Sequence, residues 1–431
     1  MFGRFTGGER HLRIFITPLL IVGAALSRVI LLPLFLLSGF FPRRSKRWVF
    51  GSWGGQRYAD NAAAFFEYCR EHLDHQCELI WISHRAAVVR QVRATGARAY
   101  LAWSPMGLWL CATAGLHLFD CFAKDTNFWV SGGARRINLW SGVPLKSFER
   151  DIDNPGNRYY RLFHGPWYER FLLGLMMPWH VQRPDLIIAT SEQHADIVAH
   201  AFNVPTQRVA VTGYPRNISL LSPPSSLHLP ASFADSLAAG RKQLVYLPTF
   251  RDSGRSFLDF NWRQLDDQLT ALEADLFIKF HPLDASAVPP GLSRVHSLTR
   301  DVDIYPLLSQ SHALISDYSS VIWDFMLLGR PIIYFVPDLE EFQAESRKLM
   351  FDLHEIAVGP VCQNFAALLA ALAEVTAPDY PDWRTTARGQ EILASSHRYT
   401  DTDSSARVLA AISRRLLPEL TLPEQPSADG N

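Results

Sequence analysis

The sequence predicts an α/β chain built from two doubly wound domains with a cleft between them. Three observations carry that reading. Short apolar runs of strand length alternate with segments of helical spacing along most of the chain. The alternation is interrupted by the Ser- and Pro-rich stretch SLLSPPSSLHLPAS, which begins at Ser219 and reads as a linker. Side chains able to bind phosphate stand directly after the predicted strands, where the crevice of an open parallel sheet lies. The resulting division is 1–47 as an apolar and basic membrane-associating segment, 48–218 as an N-terminal domain and 219–234 as a linker. It continues with 235–382 as a C-terminal α/β domain, 383–417 as a helical region and 418–431 as a flexible tail.

The first segment is apolar from Ile14 to Phe41, interrupted by Pro18 and Pro33, with Arg28 in its middle. A basic cluster (Arg43, Arg44, Lys46, Arg47) follows, which argues against a cleaved signal peptide. A single span would place Arg28 near the bilayer centre, at a cost of roughly 2.5–3.5 kcal/mol. Two short helices in the interface, with the basic cluster on anionic headgroups, avoid that cost. A buried helical pair within the globule is the other arrangement of the same residues. Either membrane arrangement puts the following domain on the cytoplasmic face.

In the first domain the predicted strands are Trp48–Ser52, Leu79–Ser83, Ala97–Leu101, His117–Cys121, Ile137–Trp140, Leu186–Thr190 and Val209–Thr212. Helical spacing fills Asn61–His72, Ala86–Ala94, Met106–Ala114 and Glu192–Ala201. Residues 150–183 are aromatic and basic without clean periodicity, suited to an acceptor cleft or a membrane-facing surface. The second domain repeats the pattern, with strands at Leu244–Leu247, Leu276–Phe280, His312–Ile315 and Ile332–Phe335. Helices fall at Gln264–Leu272, Ile304–Ser309 and Ala366–Ala373, and one long polar helix is expected over 383–416.

The most informative stretch is HALISDYSSVIWDFMLLGRPIIYF, from His312 to Phe335. It reads as strand, hydroxyl-rich turn, helix and strand, with Gly329 and Pro331 ending the helix. The turn places Ser319 and Ser320 at a helix N-terminus beside the end of a parallel strand, the usual seat of a nucleotide phosphate. The same residues also suit plain helix capping. Lys146, Arg216, Arg251 and His281 likewise follow predicted strands, so several phosphate-reactive groups converge on strand ends. Lysine plus arginine and aspartate plus glutamate each number 42, which gives no basic surplus for nucleic acid. No Gly-rich P-loop, HExxH pair or paired-cysteine site is present, so neither a metal nor a cofactor is implied. Five scattered cysteines fit a reduced compartment.

The motifs WVFGSWGGQRYADN (48–61), LWSGVPLK (139–146), GYPRN (213–217), LPTFRD (247–252), KFHP (279–282) and SDYSSVIWDFMLLGRPIIYF (316–335) occur in an order that resembles the CDP-glycerol glycerophosphotransferase family. The resemblance covers residues 48 to about 375. It implies a GT-B-like fold and transfer of glycerol phosphate, or a related polyol phosphate, from a CDP-linked donor. The acceptor would be a membrane-linked glycan or polyol phosphate, and CMP would leave. By that resemblance His281 stabilises the transferring phosphate, and Ser319 and Ser320 hold the donor phosphates with Ser316, Asp317 and Arg251. Trp140, Lys146 and Arg216 fall on the acceptor side.

One position departs from the family motif, which carries a histidine where this chain has Ser141. A serine hydroxyl alone does not take a proton near neutral pH. Three outcomes follow. His164 supplies an imidazole from another loop; the loose transition state of phosphoryl transfer proceeds without a strong base; or the protein is slow or inactive. A nucleotide-sugar glycosyltransferase and a non-catalytic nucleotide-binding homologue remain the competing functions.

Overall fold

The computed structural model describes residues 27–223, 229–249, 251, 260–281, 284, 286–300, 302–345 and 348–423. The chain divides into two compact units. The first comprises residues up to Ser141, Pro155–Arg216 and the stretch from Asp403 onward. The second comprises Gly142–Asn154 and Asn217–Thr402.

The first unit is organised by seven strands: β1 (Arg44–Gly51), β2 (Glu78–Ser83), β3 (Ala99–Leu101), β4 (Ala114–Phe119), β5 (Arg135–Asn138), β6 (Leu186–Ala189) and β7 (Val209–Val211). All pair in parallel, in the order β3-β2-β1-β4-β5-β6-β7. Continuous burial along β2, β4 and β6 follows from helices on both faces, which is why these strands read as unbroken apolar runs. Val49, Ile80, Ile82 and Leu110 pack into one core cluster.

The second unit has β8 (Lys242–Leu247), β9 (Ala274–Ile278), β10 (Val295–Ser297), β11 (Ala313–Ser316), β12 (Ile332–Phe335) and β13 (Val361–Cys362). They also pair in parallel, in the order β10-β9-β8-β11-β12-β13. Leu244, Tyr246, Ile278, Ile315, Ile333 and Leu372 form part of its core. Each sheet therefore reverses its strand order once, between β1 and β4 and between β8 and β11. Those are the switch points at which ligands of doubly wound sheets bind.

Three differences from the sequence reading concern organisation. Gly142–Asn154 leaves the first unit and packs in the second, with Val143, Leu145, Phe148 and Ile152 buried. The long helix expected over 383–416 is two helices, Ala387–Ser396 and Ser404–Leu416, separated by an extended backbone at His397. The second of them returns to the first unit, where Arg407 donates to the Thr212 carbonyl at 3.0 Å. The aromatic stretch 150–183 contains helices Arg158–His164, Trp167–Met176 and Pro178–Val181.

Residues 27–38 form a helix, and residues 14–26 lie outside the described residues. Leu31, Leu34 and Phe35 pack against Phe119, Phe128 and Trp129, so one face of the helix is seated on the first unit. No helix among the described residues is long and apolar enough to cross a membrane. Two of the four cations expected on headgroups point inward instead. Arg43 donates to the carbonyls of Cys111 at 2.9 Å and Ser38 at 2.7 Å, and burial lowers its pKa to about 10. Arg47 is buried and paired with Glu78 at 2.6 Å. Arg44 and Lys46 remain exposed.

Candidate functional site

At the second switch point β8 and β11 end side by side. Ser316, the last residue of β11, is fully buried and its hydroxyl donates to the Leu247 carbonyl at 3.0 Å. The chain then turns through Asp317, whose carboxylate accepts from the Thr249 backbone N–H at 3.0 Å and from the Tyr318 N–H at 2.6 Å. The same carboxylate lies 2.9 Å from the Arg251 guanidinium. Arg251 also grips Asp338 with two bonds, Nε to Oδ2 at 2.6 Å and Nη2 to Oδ1 at 3.0 Å, and donates to the Thr249 carbonyl. Tyr318 donates its phenol to Asp338 at 3.1 Å and stacks on Phe342, ring centroids 3.9 Å apart. The Arg251 guanidinium covers both rings, 4.9 and 5.1 Å from their centroids.

This is a closed network. Burial opposes the charge of Arg251, yet the bonds to Asp338 and Asp317 outweigh it and raise its pKa above the ordinary guanidinium value. Burial and the neighbouring Asp338 likewise push the Tyr318 phenol up, so it stays protonated as a donor. Three of the residues expected at the donor phosphates are bonded within the protein. Ser316 lies inside the sheet, and Asp317 and Asp338 share Arg251 beneath the turn. What the network supports is Ser319 and Ser320, both half-buried at the start of the helix Val321–Met326. Ser319 Oγ accepts from the Val321 N–H at 3.4 Å, while Ser320 makes no side-chain cap bond. His281 is exposed just beyond β9, with its carbonyl accepting from the Asp284 N–H at 2.9 Å.

Lys146 belongs to this unit and not to the first, where the sequence reading set it. It forms an isolated antiparallel bridge with Leu349, and its Nζ lies 5.7 Å from the centroid of the Phe342 ring.

The first unit has its own constellation at the carboxyl ends of β1, β4 and β5. Arg216 is buried and pairs with Asp60 at 2.6 Å. The same guanidinium nitrogen donates to the Ser141 carbonyl. Asn61 donates to the carbonyls of Leu139 at 3.1 Å and Trp140 at 2.6 Å, and accepts from the Arg216 N–H at 3.1 Å. Arg216, expected on the acceptor side, is tied through these bonds to the turn that carries Trp140 and Ser141. Trp140 (φ 49°), Asp60 (φ 67°) and Trp53 (φ 49°) all have left-handed backbone there, a concentration of strain that such bonding sustains. Ser141 Oγ accepts from the Cys121 thiol at 3.8 Å.

Two further carboxylates escaped the sequence reading. Asp120 and Asp125 are fully buried. Asp120 accepts from Ser52 and from the Ala62 N–H at 2.7 Å; Asp125 accepts from the N–H groups of Gly54 at 2.7 Å and Cys121 at 2.9 Å. Burial, then the proximity of Asp60, holds Asp120 well above the usual carboxylate range, and burial raises Asp125 to about 6. Asp120 falls inside the predicted strand His117–Cys121 and Asp125 four residues beyond it, and that position was the only signal for them. His164 is exposed at the last turn of its helix, its ring 5.0 Å from that of Tyr160.

Two doubly wound parallel sheets, one with a hydroxyl-bearing turn at its switch point, are an α/β architecture of GT-B-like kind. Residues 34–414 match the family model described as CDP-glycerol:poly(glycerophosphate) glycerophosphotransferase, and the chain belongs to that family. It is 28% identical over 356 residues to the teichoic acid glycerol-phosphate transferase of Staphylococcus aureus, covering 78% of this chain and 86% of that protein. It is 27% identical over 374 residues to the teichoic acid poly(glycerol phosphate) polymerase of Bacillus subtilis, covering 80% of this chain and 46% of that one. The fold is similar to the solved wall teichoic acid polymerase TagF, with a TM-score of 0.69 at 18% identity over 94% of this chain and 99% of the other.

Proposed function

We propose that the protein transfers glycerol phosphate from CDP-glycerol to a polyol-phosphate or glycan acceptor carried on a membrane lipid, in synthesis of a cell-envelope polymer. The acceptor hydroxyl attacks the phosphorus bearing glycerol. The bond from that phosphorus to the oxygen bridging it to CMP breaks, and CMP leaves with the bonding pair. Such transfer rests on positioning and on stabilising charge. Ser319 and Ser320 hold the donor phosphates, and His281 stabilises the phosphoryl group in flight. Trp140 and Ser141 serve the acceptor. Ser141 takes no proton near neutral pH, so the reaction relies on the loose transition state, and the acceptor hydroxyl's proton passes to solvent as its oxygen bonds to phosphorus.

The observation that best supports this reading is the closed Arg251–Asp317–Asp338 network, which fixes the turn at the β8/β11 switch point and leaves two serine hydroxyls half-exposed above it. The test is product release on incubation with a lipid-linked acceptor. CMP formed from CDP-glycerol, lost in the Ser319→Ala, Ser320→Ala double variant, is the expected result. Release of UDP from UDP-sugars instead would replace this reading with glycosyl transfer.

The protein works at the cytoplasmic face of the membrane. Ile30 (72% exposed), Phe40 (87%), Trp167 (79%) and Phe171 (66%) present large apolar groups to solvent. Trp179 and Leu31 pack against the cluster of Phe119, Phe128 and Trp129, and Phe41 meets Trp109 edge-on, all within the first unit. Apolar patches of this kind, with exposed Arg44 and Lys46 nearby in sequence, suit an anionic bilayer surface.

A further inference from the structure

We propose that Lys146 is a ligand of the CDP-glycerol phosphates, although it lies in the first half of the chain. The inference rests on the reading that the Ser319–Ser320 turn holds that donor. Its first support is placement. Gly142–Asn154 is part of the second unit, fastened by the Ser147 N–H donating to the Lys348 carbonyl at 2.9 Å and the Met350 N–H donating to the Leu145 carbonyl at 3.0 Å. With Leu145 and Ser147 buried on either side of it, Lys146 is directed to the opposite face, toward Phe342.

The second support is the ring stack. The Lys146 ammonium stands over Phe342, which stacks on Tyr318, the residue preceding Ser319. The cation is therefore one ring removed from the turn that carries the serines.

The third support is charge. Asp317 and Asp338 face one guanidinium, so the platform under the turn has one negative charge in excess. A CDP-linked donor brings two more. Arg251 is enclosed by its carboxylates and cannot offset them. Lys146 cancels the excess, and its flexible stem lets the ammonium reach from the ring face to a phosphate oxygen. The aromatic face holds the cation at the site while the donor is absent.

Calorimetric binding of CDP-glycerol tests this, with Lys146→Met removing the charge while keeping the apolar stem on Phe342. The expected loss of affinity is roughly tenfold to a hundredfold, the worth of a charge-assisted hydrogen bond. Lys146→Arg should recover most of it, and the KM for the acceptor should stay unchanged. Unchanged CDP-glycerol affinity in Lys146→Met, while Ser319→Ala weakens it, overturns the role of Lys146 alone. A change confined to the acceptor KM overturns it as well. If neither Ser319→Ala nor Lys146→Met affects CDP-glycerol affinity, the donor site itself is misplaced. Circular dichroism of Lys146→Arg and Lys146→Met separates these outcomes from a folding defect.

Discussion

The two switch points solve the same problem with different charge balances. In the second unit a single guanidinium sits between two carboxylates, and the Ser319–Ser320 turn rests on a fully bonded platform that carries one negative charge in excess. In the first unit Arg216 has Asp60 as its partner, while Asp120 and Asp125 lie buried beside it. Burial holds both of these carboxyl groups above the usual carboxylate range, Asp125 at about 6, beside a turn with strained backbone at Trp140. The lesson is that one arginine per turn supplies rigidity in both places but leaves each turn with acid in excess, so added negative charge needs a cation from elsewhere.

The largest effect expected is on Arg251. Arg251→Ala leaves two buried carboxylates without their cation and should cost about 3–5 kcal/mol in urea unfolding. Adding Asp338→Asn to it should return a measurable part of that loss; no recovery would mean the network is not the source. Arg216→Met removes the pair with Asp60 and the bond to the Ser141 carbonyl, for an expected cost of about 2–4 kcal/mol. It should also raise the acceptor KM while leaving CDP-glycerol affinity intact, and equal loss of both would erase the distinction between the units.

Acidity gives the next prediction. Asp125 has a folded-state pKa of about 6, above its unfolded value near 3.8. Its contribution to stability is therefore complete below the unfolded value and is lost as pH rises through about 6. Unfolding free energy attributable to this group should fall by about 2–3 kcal/mol between pH 4 and pH 7. A titration in which stability is flat across that window would contradict the raised Asp125 carboxyl. The smallest effect on stability is expected at the surface. Ile30→Ser with Phe40→Ser and Trp167→Ser should change unfolding by little, about 0.5 kcal/mol per site. Co-sedimentation with anionic vesicles should nonetheless be lost, and unaltered sedimentation would count against the bilayer surface.

Much of the fold was legible because buried parallel strands announce themselves as apolar runs. Leu186–Ala189, Lys242–Leu247 and Ile332–Phe335 lie where the runs of apolar residues put them. Strands β10 and β13 were missed: β13 has only two residues, and β10 (Val295–Ser297) holds one apolar residue before His296 and Ser297, so neither reads as an apolar run. The hydroxyl turn was legible from local chemistry alone. Its support was not: Asp338 lies 87 residues beyond Arg251, and nothing local marks the two as partners. Lys146 shows the same limit in another form, because its position in the chain says first domain while its packing says second. The buried acids Asp120 and Asp125 stand at the end of a strand, Asp120 within the predicted His117–Cys121 run, but a carboxylate there reads as solvent-facing until its burial is known.

The account depends most on where the pyrophosphate of the donor rests. A crystal structure of the protein with CDP-glycerol bound tests that directly. The expected result is a diphosphate within hydrogen-bond reach of the Ser319 and Ser320 hydroxyls, above the intact Arg251–Asp338 pair. A diphosphate bound elsewhere, with those hydroxyls turned to solvent, would contradict it.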